Sequence, residues 1–306
     1  MMQQPEQQSA NAYRLTEREI SASCARAVPH PIRLFDLVGL GVDAEEFILA
    51  LAPTYEDLPW DTYDVRQAQI NYVVQHNPSC VTMENVALMK RYYEGDVELL
   101  RELAAWLPNN TRGLLHEFTP CRRRASASYR LTYDDKPEVC LLPSSAFRQE
   151  QVEDYRSWPR AFAPMSPTVS GCHLLHQFLI RVGAMVREWE PSGRRMKLIV
   201  HQVSTVARTD HPGTSSPEGA HQDGADYIVS ALVVAKSEVD GGMSRLFFDD
   251  TREPFFSTTL APRQGLFHAD ARTCIWHDAT PITYIGANEQ GTGFRNTIGV
   301  DVYVEG

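Results

Sequence analysis

The succession of segments predicts an α+β fold with a mainly β core: a two-sheet jelly roll preceded by a helical N-terminal region and flanked by helices. Three observations carry that expectation. From residue 196 onward, about eight short runs rich in Val, Ile, Phe and Tyr follow one another, divided by turn residues such as Asp240-Gly241-Gly242 and Pro262-Arg263-Gln264-Gly265. Ahead of them, residues 43–51 and 83–107 place apolar side chains at helical rather than alternating intervals. Between the two lies a stripe of Leu174, Leu175, Phe178, Leu179, Val182, Met185, Val186 and Trp189, whose helical period marks 169–189 as a long core-facing helix.

In chain order, Asp43 is an acid placed to start a helix over 43–51, with Phe47, Ile48 and Leu51 on one face and Pro53 closing it. Residues 83–107 form a second helical stretch that Gly95 divides and Pro108-Asn109-Asn110 ends. Over 122–142, Tyr129, Leu131 and Tyr133 alternate, and Asp134-Asp135-Lys136-Pro137 turns the chain into a hairpin. A proline-rich connector at 159–167 leads into the long helix. Strands follow at 196–206, 227–235, 244–249, 255–260, 265–268, 273–277, 282–285 and 295–304. No repeat or linker divides the chain, so residues 13–306 are expected to form one domain, with 13–120 as its helical region and 121–306 as its jelly-roll core. Residues 1–12, Gln-rich and polar, are expected to be a flexible leader.

Composition narrows the functional classes. With 43% hydrophobic and 22% charged residues among 306, the chain can bury a large core. Its 29 basic and 39 acidic residues give a net charge of −10, the wrong sign for a general phosphate-backbone binder, so nucleic acid is not an expected partner. No run approaches membrane-spanning length and the polar start lacks the pattern of a secretory signal, so no membrane association is expected. Six cysteines without a Cys-x-x-Cys pair read as thiols rather than a disulfide frame, which fits a reducing cytoplasm.

The chemistry concentrates in Pro217-Glu218-Gly219-Ala220-His221-Gln222-Asp223-Gly224, in Trp276-His277-Asp278 and in Arg295. Two imidazoles and one carboxylate on one face of an iron leave the opposite positions open for a chelating co-substrate and O2. Gly219 and Gly224 relax the loop around His221 and Asp223. Arg295, 18 residues after His277, is placed to pair bidentately with the distal carboxylate of a 2-oxo acid, and Thr297 on the same strand face adds a hydroxyl. Spacing alone leaves two other readings open: ordinary loop polar residues with Arg295 paired to a structural acid, or zinc in a non-redox site. His268, His201 and His211 compete with His277 as the second histidine. Asp278 is a weaker rival to Asp223, because strand neighbours point to opposite faces. Asp270 is a candidate for orienting a ligand histidine.

The ordered blocks Pro217-Glu218-Gly219-x-His221-x-Asp223-Gly224-x-Asp226, Gly241-Gly242, Asp270, Trp276-His277-Asp278-Ala279-Thr280-Pro281-Ile282 and Arg295 resemble the bacterial and fungal 2-oxoglutarate/Fe(II) dioxygenases that include L-isoleucine dioxygenase. The resemblance spans roughly residues 122–302. It implies a double-stranded β-helix, the cupin-like form of the jelly roll. It also implies Fe(II) held by His221, Asp223 and His277, with 2-oxoglutarate anchored by Arg295, and the use of O2 to oxidise a C–H bond of a small aliphatic free L-amino acid. Hydroxylation, desaturation and ring closure, such as aziridine formation from valine, are the implied outcomes, with succinate and CO2 as co-products. Asp240 and Ser204 depart from the resemblance, standing where Asn and Arg are usual; both bear on substrate rather than on iron.

A free amino acid needs a cation for its carboxylate and an acceptor for its ammonium. Arg122 and Arg124, two apart on one strand face, suit the first need; Glu218 or Asp226, bordering the ligand loop, suit the second; Gln202 is a further candidate inside the barrel. Each also has a structural reading, as a charge run, a loop brace or a core hydrogen bond. Two other functional classes stay open at this stage: a non-catalytic jelly-roll binding protein, and an oxygenase of peptide side chains.

Overall fold

Alternation of side chains across one large antiparallel sheet organises the molecule, so that one face packs on helices and the other walls a cavity. The computed structural model describes residues 30–143, 158–249, 252–288 and 290–305. The expected leader at 1–12 lies outside the described residues. In chain order the elements are β1 (Ile32–Asp36), α1 (Ala44–Leu51), α2 (Thr62–His76), α3 (Met83–Glu94), α4 (Leu100–Ala105), β2 (Arg122–Tyr133), β3 (Pro137–Leu142), β4 (Ala163–Pro164), α5 (Pro167–Ser170), α6 (His173–Trp189), β5 (Arg195–Arg208), β6 (Tyr227–Ser237), β7 (Val239–Gly241), β8 (Ser244–Phe248), β9 (Phe256–Thr258), β10 (Gln264–Ala269), β11 (Ile275–Ala279), β12 (Ile282–Tyr284) and β13 (Thr292–Glu305). The main sheet runs β1-β10-β6-β13-β5-β2-β3, and β11-β8-β9 and β12-β7 form the opposing layer. This is the expected cupin-like jelly roll with flanking helices.

The outer face of the main sheet carries Ala125, Ala127, Tyr129 and Leu131 of β2, Leu198 and Val200 of β5, and Ile298, Val300 and Val302 of β13. Leu174, Phe178, Leu179 and Val182 of α6 and Phe47 and Leu51 of α1 cover it. Burying each such aliphatic or aromatic side chain contributes about 1.5–3 kcal/mol. Close approach of α6 depends on Gly183, where a Cβ would stand 2.3 Å from Leu131 Cδ2 and 2.7 Å from the Tyr133 hydroxyl. That hydroxyl donates to the Ile180 carbonyl at 2.6 Å. A second cluster, around Tyr63, Ile70, Val73, Met89, Tyr93 and Leu103, joins the N-terminal helices.

Local chemistry explains where several boundaries fall. Asp43 caps α1 by accepting from the Glu46 N–H at 3.0 Å. The helix ends at Leu51, ahead of Pro53 as expected, and Pro53 stands in the first turn of the 3-10 helix Ala52–Tyr55 that follows, where its missing N–H costs nothing. Gly95, at φ 133°, closes α3 and separates it from α4, as its place in the sequence suggests. The predicted helix over 169–189 is two: Ser166 caps α5, Gly171 ends it, and Cys172, at ψ 120°, restarts the chain as α6.

Several elements have no counterpart in the sequence reading: β4 falls in the expected connector and β7 at the expected turn, and α2 and β1 lie where no element was placed. The α2 stripe buries Gln67 and Gln69 beside Ile70 and Val73, so its inward face reads as polar. Those amides are satisfied in place: Gln69 Nε2 donates to the Leu115 carbonyl at 2.7 Å and its oxygen accepts from the Tyr92 hydroxyl. Only five residues long, β1 is fixed by pairing with β10 and by burial of Ile32 and Phe35 rather than by its own pattern. Among the described residues Cys80, Cys121, Cys140, Cys172 and Cys274 are free, and no helix is long and apolar enough to cross a membrane.

Candidate metal centre and cavity

His221 and His277 are locked opposite one another by a reciprocal backbone pair, each N–H donating to the other's carbonyl at 2.9 Å. Their rings lie 4.4 Å apart, and both side chains are buried. Gly219 and Gly224, at φ 79° and 88°, turn the loop on either side of His221-Gln222-Asp223. The Gly219 carbonyl accepts from His221 Nδ1 at 2.8 Å, which orients the ring and leaves Nε2 directed toward Asp223. Asp223 then reaches back, with one oxygen 3.6 Å from His221 Nε2 and the other 3.4 Å from His277 Nε2. One ligand atom from each of the three lies within 4.8 Å of the others. Metal bonds of about 2.1 Å meeting at about 90–110° put ligand atoms roughly 3.0–3.4 Å apart, so the triad needs only a small contraction to hold a divalent ion.

The second layer was only partly legible. Gln222, between the two ligand candidates, shares its amide N–H groups among the carbonyls of Asp270, Thr273 and Ile275 at 2.8, 3.1 and 2.9 Å and ties the loop to the segment leading into β11. Nothing in its sequence context marks that role. Asp270, fully buried, accepts from the Gly224 N–H at 2.7 Å with one oxygen and holds the other 3.7 Å from His277 Nδ1. Both this oxygen and His277 Nδ1 lack a hydrogen bond, a pair poised to close on a small shift of the ring.

Electrostatics follow from burial and neighbours. Burial opposes charge on His277, but Asp223 and Asp270 on either side outweigh it and raise its value to about 10. Burial likewise opposes charge on Asp223, and His221 and His277 reverse this, holding it well below the usual carboxylate range. Asp270 goes the other way, raised chiefly by burial. His268, whose ring lies 5.2 Å from that of His277, is pushed down to about 3, first by burial and then by His277. It is a neutral wall of the site, with Nδ1 bonded at 2.7 Å to the Ala269 carbonyl. His211 lies on the surface against Asp210. Asp278 accepts from Arg245 Nε at 2.8 Å and from a terminal Arg245 nitrogen at 2.6 Å.

A cavity of about 150 Å³ adjoins the triad. Arg295 and Thr297 line it from β13, and Arg122 and Arg124 from β2, while Glu218 borders it beside His221. Arg295 is 4% exposed, one terminal nitrogen has no hydrogen bond, and no acid pairs with it among the described residues. Burial lowers it to about 10. Gly242, at φ 67°, makes room for it: a Cβ there would stand 2.8 Å from Arg295 Cδ. The Thr297 hydroxyl makes only a long bond, 3.4 Å, to the Val203 carbonyl. Glu218 comes within 3.2 Å of His221 Nε2.

Two expected substrate residues are not in this cavity. Gln202 alternates with His201 and Val203 on β5 and so faces the helices, where Nε2 donates to Thr54 Oγ1 at 2.7 Å. Asp226 braces the sheet end, accepting from Arg272 and, at 2.9 Å, from the Val304 N–H. Conversely, Asp301 and Arg160 line the cavity without having been singled out as site residues, and His201, weighed only as a rival to His277, lines it as well.

Residues 109–301 match the sequence model of the 2OG-Fe dioxygenase family. The chain belongs to this family. It is a non-heme Fe(II)/2-oxoglutarate-dependent dioxygenase, with Fe(II), 2-oxoglutarate and O2 as its cofactor and co-substrates. Among solved structures, the dioxygenase is similar to a bsmA homolog from Methylobium petroleophilum PM1, with a TM-score of 0.61 and 15% identity over 95% of this chain and 92% of that one. It is also similar to IDO from Bacillus thuringiensis, with a TM-score of 0.50 and 16% identity over 79% of this chain and 96% of that one. At such identities the likeness speaks for the fold alone. No curated protein matches the sequence.

Proposed function

We propose that His221, Asp223 and His277 hold the Fe(II) of this dioxygenase, that Arg295 and Thr297 receive the distal carboxylate of 2-oxoglutarate, and that the enzyme oxidises a C–H bond of a small free L-amino acid. The observation that carries the reading is Arg295: a buried guanidinium without an acid, in the same cavity as the triad. A buried cation left unpaired is costly, and a dicarboxylate arriving at the metal removes that cost. When bound, Fe(II) with 2-oxoglutarate and O2 supplies oxidation of an unactivated C–H bond, with release of succinate and CO2.

The chain's own residues orient and enclose. Gly219 orients the His221 ring, Asp270 stands behind His277, and Gln222 pins the loop that joins His221 to Asp223. Beyond the triad the cavity is lined by His201 and Asp301, both buried, which supports a small polar substrate. Hydroxylation, desaturation and oxidative ring closure all stay within this reading, because they differ in sub-ångström placement of the substrate. Within the family we place the chain with the free amino acid oxygenases resembling L-isoleucine dioxygenase. We read residues 13–306 as one catalytic domain, and the free thiols as suited to a reducing cytoplasm.

Aerobic incubation with Fe(II), 2-oxoglutarate and a panel of L-amino acids and short peptides, followed by mass spectrometry, tests this. Succinate should form with at least one amino acid, whose product mass rises by 16 for hydroxylation or falls by 2 for desaturation or cyclisation, mass changes of about one oxygen or two hydrogens. Stimulation by peptides and by none of the free amino acids would overturn the substrate assignment.

A further inference from the structure

The cavity face of β13 carries Arg295, Thr297, Gly299 and Asp301 at alternate positions. At about 3.4 Å per residue, Arg295 and Asp301 are roughly 20 Å apart along the strand, so the cavity has two charged ends. The Arg295 end belongs to the co-substrate in the reading above. At the other end, Arg124 of β2 donates to His201 Nδ1 at 2.9 Å, and His201 Nε2 lies 3.1 Å from Asp301 Oδ2. An imidazole that accepts on Nδ1 must carry its proton on Nε2, so the three side chains form one directed chain ending on a carboxylate.

Arg122 and Arg124 share a face but not a condition. Arg122 is engaged by Asp64 at 3.4 Å, Asp61 at 3.7 Å and the Ser215 carbonyl at 3.2 Å. Arg124 has no acid within ion-pair distance among the described residues; its charge lies over the Phe162 ring at 4.0 Å and its Nε is buried without a hydrogen bond. Burial, opposed by Asp61 and reinforced by Arg160 and Arg122, lowers it to about 10. On the other side, Asp301 gives one oxygen to His201 and its second draws no donor among the described residues. A guanidinium short of an anion and a carboxylate short of a donor are thus tied together through one neutral histidine.

We infer that Arg124, His201 and Asp301 form a recognition site for the head group of an α-amino acid, with Arg124 taking the carboxylate, Asp301 the ammonium, and His201 holding the two in register. The inference rests on the dioxygenase site described above and deepens its substrate class: a zwitterion fits, whereas a peptide-bonded residue or an amine-free acid satisfies only one end. His201 is a positioning residue; the other two touch substrate. Arg122, already neutralised by α2, serves the wall.

The test titrates the full-length enzyme, loaded with Fe(II) and 2-oxoglutarate, anaerobically with L-valine, L-leucine and L-isoleucine, with the matched acids lacking the amine, and with the matched amides. Binding is read by calorimetry and, in air, coupling by succinate. At least one amino acid should bind and raise succinate, and its des-amino acid and amide should bind at least about tenfold more weakly, as expected for losing one hydrogen bond to a charged group. Arg124→Gln should weaken amino-acid binding roughly 10- to 100-fold, read by calorimetry beside the variant's own 2-oxoglutarate binding. If that variant loses 2-oxoglutarate binding, Arg124→Lys carries the comparison: it keeps the charge without the planar fork, and a several-fold weakening is expected. Asp301→Asn should narrow the gap between the amino acid and its des-amino acid. Equal binding of amide and amino acid, or unchanged binding in the Arg124 variants, overturns the inference. So does 2-oxoglutarate consumption that none of the three amino acids binds to or stimulates, an outcome that leaves the dioxygenase reading standing. Absence of succinate under every condition overturns both.

Discussion

Replacing Arg295 by methionine separates a co-substrate anchor from a structural ion pair by the sign of its effect on stability. Arg295 is 4% exposed and has no acid partner among the described residues. Burial lowers it to about 10, which corresponds to roughly 3 kcal/mol of penalty for carrying its charge in the folded chain. Methionine keeps most of the aliphatic stem and removes the charge. The co-substrate-free variant should therefore melt at or above the wild-type temperature, with part of that gain offset by lost packing around Gly242 and Ile282.

The same change removes the charge-assisted bonds offered to 2-oxoglutarate. Each is worth about 1.5–3 kcal/mol, so the KM for 2-oxoglutarate should rise at least about tenfold and the melting shift given by 2-oxoglutarate should shrink accordingly. Thermal melting with and without 2-oxoglutarate and initial rates of succinate formation measure both effects. Had Arg295 a structural acid for a partner, truncation would strand that acid and cost about 3–5 kcal/mol, with little change in KM. A destabilised variant with unaltered 2-oxoglutarate kinetics would therefore refute the argument.

Four further outcomes follow from the geometry. Asp270→Asn, which weakens the hold on His277 Nδ1 and on the Gly224 N–H, should reduce Fe(II) affinity roughly 10- to 100-fold in a metal titration. Gly242→Ala places a Cβ 2.8 Å from Arg295 Cδ at a backbone φ of 67°, so it should raise the KM for 2-oxoglutarate and lower stability by about 1 kcal/mol or more. Gly183→Ala gains about 1 kcal/mol of helix propensity but meets Leu131 at 2.3 Å, and overpacking of about 1–3 kcal/mol should win, lowering the melting temperature while both KM values stay unchanged. In metal-free protein His277 sits at about 10, above its unfolded value of about 6.5, so its stabilisation is whole below that value and lost as pH rises toward 10. Melting of stripped protein should fall across that window and Fe(II) affinity should climb through it as the proton is released; a flat melting profile would count against the assignment.

The succession of strands along the chain and the grouping of His221, Asp223 and His277 were legible because each rests on local signals: alternation, turn residues, and ligand types flanked by glycines. Parity decided what was not. Gln202 and His201 sit on the same correctly placed strand, yet one residue of offset sends Gln202 to Thr54 behind the sheet and His201 into the cavity. That parity becomes visible only when β5 is registered against its neighbours, where Arg124 pairs with Val203 and Ser126 with His201. Asp301 was hidden for the same reason, one step past the apolar Val300 on a strand whose other face is core.

The contrast between Arg122 and Arg124 goes further, because nothing in the strand that carries both distinguishes them. What separates them is α2 and the turn before it, which deliver Asp61 and Asp64 to Arg122 and stop short of Arg124. A helix whose buried face is built partly of glutamine leaves no apolar stripe to read, so its acids could not be placed against the sheet from sequence. The division between a structural and a substrate-facing arginine is therefore set by the N-terminal helical region rather than by the jelly roll. On this argument the helical region takes part in substrate selection: Asp61→Asn together with Asp64→Asn should free Arg122 as a second anion site. Amino acids with an acidic side chain should then compete with the aliphatic substrate, as they do not in wild type, and a substrate profile unchanged from wild type, in a variant that still consumes 2-oxoglutarate, would refute it.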